Sequence, residues 1–73
     1  MKIATWLEAI EAHPSIDATT YDIAGYIGLL DDAAQVYETG YLRSQIDRAI
    51  GTLVGCGFFR YEPDREELVF TLP

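Results

Sequence analysis

Seventy-three residues, 49% of them hydrophobic, suffice for one modest core and no more, since a chain this short buries only about 60% of the surface it exposes when unfolded. A formal charge of -7, twelve acids against five Lys and Arg, opposes a polyanionic ligand, because binding duplex DNA means neutralising phosphates with cations. The single cysteine, Cys56, excludes an intrachain disulfide, and a reducing, cytoplasmic setting is expected, in a prokaryotic host or, for a virus-encoded protein, in the host cell.

Glu8 and Glu11 interrupt the apolar positions of MKIATWLEAIEAHP and no apolar run reaches the length of a span, so neither leader nor membrane partner is expected. Ile3, Trp6, Leu7 and Ile10 recur at helical spacing while Lys2, Thr5, Glu8 and Glu11 fall opposite, which predicts a first helix over 2–12. Pro14 disfavours the helical region for His13 and ends it. Ile16 is left for a strand of one or two residues. In TTYD, Thr19 with Asp22 three residues on matches a weak capping box and starts a second helix with Ile23, Ala24 and Ile27 inward. Gly25 and Gly28 each lower its helicity by about 1 kcal/mol relative to Ala, so it is expected to be short or closely crossed by another helix.

Across LLDDAAQVYETG, a short helix capped by Asp31 or Asp32 runs through Tyr37 to a stop at Gly40, with an extended turn as the alternative. From Tyr41 the helical period returns: Leu42, Ile46, Ala49, Ile50 and Leu53 share one stripe, and Arg43, Ser44, Asp47, Arg48 and Thr52 lie outside it. Gly55 and Gly57 supply residues able to take positive φ at its end. Residues 58–61 then read as a strand, EPDREE as a turn, and 68–72 as a second strand with Leu68, Phe70 and Leu72 alternating against Val69 and Thr71. There is no repeat, low-complexity tract or linker, so 1–73 is expected to be one unit.

The order helix, brief strand, helix, longer helix, glycine, hairpin resembles a winged helix-turn-helix domain. The likeness covers nearly the whole chain and is most specific in LRSQIDRAIGTLVGCGFFRYEPDREELVFTL. The expected fold class is α+β, mainly helical, with a three- or four-helix core and a C-terminal two-stranded hairpin as the wing. Members of the family place the third helix in the major groove. By position, the resemblance implies that Arg43, Ser44, Asp47 and Arg48 face the groove and that Arg60 and Arg65 lie near phosphate. Two features depart from the family pattern. The connection over 29–39 is long, and Asp47 with Glu62, Asp64, Glu66 and Glu67 would set carboxylates against phosphate.

Chemistry-bearing residues are sparse. His13 is the one histidine and is expected to have a structural or solvent-facing role at a helix end; with a lone Cys as well, zinc spacings are absent. Cys56 reads as a small packing residue. Asp31 and Asp32 read as caps, since the oxygen-rich calcium loop is missing, and GCG and AGYIG lack the lysine of a phosphate loop. No cofactor, metal or catalytic activity is expected.

The functional expectation turns on charge. Residues 1–36 carry Lys2 against Glu8, Glu11, Asp17, Asp22, Asp31 and Asp32, while 37–73 carry four arginines against six acids. The first expectation is a protein-binding module whose acids, those six with Glu62, Asp64, Glu66 and Glu67, engage a basic protein or nucleoprotein complex. Small acidic proteins of this kind resemble phage and mobile-element inhibitors, anti-CRISPR proteins among them, some of which imitate the charge of DNA. The second is a DNA-binding regulator, acting as a homodimer through Arg43, Ser44, Arg48, Arg60 and Arg65. The third is a subunit of a larger assembly. Tyr21, Tyr26, Tyr37, Tyr41 and Tyr61 suit either a protein interface or an extended core.

Overall fold

The computed structural model describes residues 2–30 and 33–73. Among them, helices α1 (Ile3–Ala12), α2 (Ala18–Leu29) and α3 (Arg43–Gly55) precede an antiparallel hairpin of β1 (Phe59–Glu62) and β2 (Glu67–Phe70), and a 3-10 helix, Ala33–Glu38, links α2 to α3. The class is α+β, mainly helical, in an arrangement compatible with a winged helix. No helix is long and apolar enough to cross a membrane among the described residues.

Each helix buries most of the stripe its spacing predicts, Leu42 of the α3 stripe being the exposed exception. Trp6 and Ile10 from α1, Ile23, Ala24 and Ile27 from α2, and Ile46, Ala49 and Leu53 from α3 meet Val36, Phe58 and Phe59 in one contiguous core. Gly28 lets α1 approach α2: a Cβ there would stand 3.0 Å from Ile3 Cγ2. Tertiary packing therefore outweighs the low propensity of α2, and the helix is 12 residues long, where a short one is also among the expectations.

Several boundaries differ from the sequence expectation, each for a local reason. Asp17, not Thr19, caps α2; its Oδ1 accepts from the Thr20 N–H at 2.8 Å. A carboxylate at the positive end of the helix gains from the dipole as well as from the hydrogen bond. Ile16 forms no strand and instead closes a turn, donating to the His13 carbonyl at 3.2 Å. The expected short helix before Gly40 is present as a 3-10 helix, Ala33–Glu38, and its proposed caps Asp31 and Asp32 lie outside the described residues. Helix α3 starts two residues late: Leu42 is the extended N-cap residue, 68% exposed, and its N–H is satisfied by the Gln45 side chain at 2.9 Å.

The end of α3 aims the hairpin. Phe58 N–H donates to Leu53 O at 2.8 Å and Gly57 N–H to Val54 O at 3.1 Å, a Schellman closure in which Gly57 takes φ +89°. The Phe58 carbonyl then accepts from Trp6 Nε1 and from the Thr71 N–H, both at 2.9 Å. Phe59 pairs with Phe70 across the strands, and the Phe70 ring stacks on Trp6 at 4.5 Å. Of the alternating residues Leu68, Phe70 and Leu72, only Phe70 packs against the core; Leu68 and Leu72 are exposed, and Leu72 lies beyond the end of β2.

Candidate functional site

Asp31 and Asp32 lie outside the described residues, and the other sequence-derived acids are distributed over α1, α2 and the hairpin. Glu8 and Glu11 lie exposed on α1, Asp17 is occupied as a cap, and Asp64, Glu66 and Glu67 are exposed on the hairpin. Among the described residues no three His, Cys, Asp or Glu gather closely enough to hold a metal ion. His13 serves the fold: its Nδ1 accepts from the Ser15 N–H at 3.1 Å and its ring meets Phe58 edge-on. Cys56 is half-buried against the core.

The arginines implied by the family resemblance are exposed, and three of them are already matched by carboxylates. Arg60 Nε donates to Glu62 Oε1 at 3.1 Å, Arg65 lies 3.6 Å from Glu67, and Arg43 Nε lies 3.8 Å from Asp47. On the hairpin this has a structural cause. Glu62 and Glu67 are direct cross-strand partners, a like-charge pair that an adjacent cation relieves. Arg48 makes no ion pair among the described residues; it borders a small recess with Asp17, Thr19 and Gln45, and with the Thr20 hydrogen bonds its charge helps hold the Asp17 carboxyl below the usual range. Ser44 is exposed on the same helix.

Arg43 belongs to a compact arrangement. Its guanidinium carbon lies 5.2 Å from the centre of the Tyr37 ring, within cation–π range, and the Tyr37 hydroxyl donates to Asp47 Oδ1 at 2.8 Å. That hydrogen bond to Asp47 is the main reason the Tyr37 hydroxyl is harder to ionise than usual. Tyrosine, carboxylate and guanidinium thus satisfy one another in a closed set.

A second tyrosine–carboxylate pair lies on the outer face of α2. Tyr41, arriving from the segment before α3, donates its hydroxyl to Asp22 Oδ2 at 3.2 Å and meets the Tyr26 ring edge-on at 6.3 Å. Partial desolvation, and then the Asp22 charge, raise the Tyr41 pKa, so the hydroxyl remains a donor. Tyr21, Asp22, Gly25, Tyr26, Leu29 and Tyr41 line an open cleft of about 360 Å³. Tyr26 is 44% and Leu29 80% exposed, and no ion pair involves Asp22 among the described residues. Nothing in the sequence marks this set as a unit. The i, i+4 spacing of Tyr21 with Gly25 and of Asp22 with Tyr26 puts them on neighbouring lines of one helix, but Tyr41 joins them only through the tertiary fold. No protein-family model, curated protein or solved structure matches the chain.

Proposed function

We propose that this chain is a winged-helix-like protein-binding module whose acidic surface engages a basic, nucleic-acid-handling partner and blocks it, carboxylates standing where phosphates would otherwise lie. The observation that carries this reading is the state of the arginines. Arg43, Arg60 and Arg65 each face a carboxylate of their own chain, so a phosphate approaching α3 or the hairpin has to displace a resident anion, while Asp64 and Glu66 add further repulsion. A basic protein surface meets the opposite situation, above all along 3–42, a stretch with seven acids and no Lys or Arg. The functional class that fits is the small acidic inhibitor encoded by phages and mobile elements, anti-CRISPR-like in its use of charge.

A second reading, a dimeric DNA-binding regulator, is favoured by Arg48, exposed on α3 beside Ser44 and without an ion pair among the described residues. Mobility shift of duplex DNA across a salt series separates the two. The inhibitor reading expects no shift at physiological salt and expects the protein to compete with DNA for a basic DNA-binding protein. A sequence-specific shift at physiological salt, falling steeply as salt rises, would establish the regulator instead.

A further inference from the structure

The two tyrosine–carboxylate pairs of this fold share a hydroxyl-to-carboxylate bond and differ in what stands beside it. At Tyr37 and Asp47 the set is completed by Arg43, which pairs with the carboxylate and stands over the ring. At Tyr41 and Asp22 the hydroxyl-to-carboxylate bond is present, a second ring, Tyr26, stands beside it, and no cation of the described chain completes the set. Beside this pair lies the open cleft. Gly25 has no atom within 4 Å of where a Cβ would stand, which leaves the wall of α2 open at that point.

Resting on the reading of the chain as a binder of basic proteins, we propose that the cleft bounded by Tyr26, Tyr41 and Asp22 receives an arginine side chain of the partner. The guanidinium pairs with the Asp22 carboxylate and lies against a tyrosine ring, and the aliphatic stem of the arginine runs along Gly25 and Leu29. Arginine fits better than lysine because its flat, weakly hydrated head stacks on aromatic faces and bonds a carboxylate in a fork. The charge of the region suits the same occupant: Asp22 is the one charged residue of α2, whose sequence is ATTYDIAGYIGL, so an entering cation meets no repulsion from that helix.

The test uses the intact chain and a fluorescein-labelled peptide of nine arginines, followed by fluorescence anisotropy at physiological salt. Gly25→Leu is the decisive variant, because it fills the cleft without changing charge and replaces a helix-weakening residue by a strong helix former; circular dichroism verifies its fold. Gly25→Leu and Tyr26→Ala are expected to weaken binding about tenfold each, as the loss of a desolvated cation–π contact would. A nine-lysine peptide of equal charge is expected to bind several-fold more weakly to the wild type. Wild-type affinity in folded Gly25→Leu, or equal affinity for the two peptides, would overturn the cleft assignment while leaving the basic-partner reading in place. Failure of the wild-type chain to bind either peptide would overturn both.

Discussion

The hairpin and the outer face of α2 both display exposed tyrosine beside carboxylate, yet their charges are disposed in opposite ways. On the hairpin, each arginine is placed against a glutamate of its own chain, and the pairs relieve a cross-strand repulsion that the fold itself creates. On α2, Asp22 is tied to a tyrosine hydroxyl and to no cation among the described residues. On the first surface both cations are taken up within the chain, with Asp64 and Glu66 in excess; the second sets one carboxylate, with no ion-pair partner among the described residues, in a concave, aromatic cleft. The hairpin owes its position to packing against Trp6.

That last point can be broken directly. Trp6 stacks on Phe70, tilts against Phe59 and donates to the Phe58 carbonyl, so Trp6→Ala removes the platform under the hairpin root and leaves the Phe58 carbonyl with the Thr71 N–H alone. The expected cost is about 3–5 kcal/mol, a large part of the roughly 4–11 kcal/mol available to a chain of this length. Urea denaturation should show the variant largely unfolded or with a midpoint far below that of the wild type. Tyr26→Ala, on the other surface, should leave the midpoint nearly unchanged. A Trp6→Ala midpoint close to wild type would mean that the hairpin is an appendage and not part of the core.

The glycines of α2 sharpen the contrast between its two faces at about 1 kcal/mol. Gly25 faces the cleft with space for a methyl group, whereas a methyl at Gly28 meets Ile3 Cγ2 at 3.0 Å, and Ile3 has little rotameric freedom inside a helix. Gly25→Ala is expected to raise stability by up to about 1 kcal/mol. Gly28→Ala is expected to forfeit that gain and melt at or below wild type. Equal gains from both variants in thermal melts would refute the tight α1–α2 approach.

These features were unequally legible in the sequence. The stripes of α1 and α3 could be read because burial of Trp6, Ile10, Ile46, Ala49 and Leu53 follows from helical period alone. The start of α2 is ambiguous in sequence because Asp17 and Thr19 are both good caps, and only the position of the Thr20 N–H decides between them. Strand alternation marked Leu68, Phe70 and Leu72 as equivalent, but period 2 says which face a residue takes and not how far the core extends beneath it. The cleft was the least legible. Tyr21, Tyr26 and Tyr41 are each visible as aromatic residues, yet the meeting of Tyr41 with Asp22 across nineteen positions leaves no periodic trace.

The cap of α2 gives a pH signature. Asp17 accepts from the Thr20 backbone and side chain, which lowers its pKa in the folded state. A lowered carboxyl pKa means stability that is present in full above the unfolded value and is lost as pH falls through the folded one. Melting temperature should therefore decline below about pH 4, and Asp17→Asn, a cap without a charge, should flatten this part of the profile. An unchanged slope in Asp17→Asn would assign the acid sensitivity to other carboxylates.

The smallest effect returns to the hairpin. Arg60 serves Glu62, which sits directly across from Glu67, and the ion pair is solvent-exposed on the arginine side. Exposed pairs contribute little by themselves, so Arg60→Ala should cost at most about 1 kcal/mol, most of it from the glutamate repulsion left behind. Two comparisons isolate that origin. Raising the salt concentration should recover much of the loss, since repulsion between exposed charges is screened, and adding Glu67→Gln to Arg60→Ala should recover it without salt. A loss insensitive to both would place the role of Arg60 in the packing of its aliphatic stem over Val69, its cross-strand neighbour, and the hairpin would then be held by side-chain coverage in preference to charge compensation.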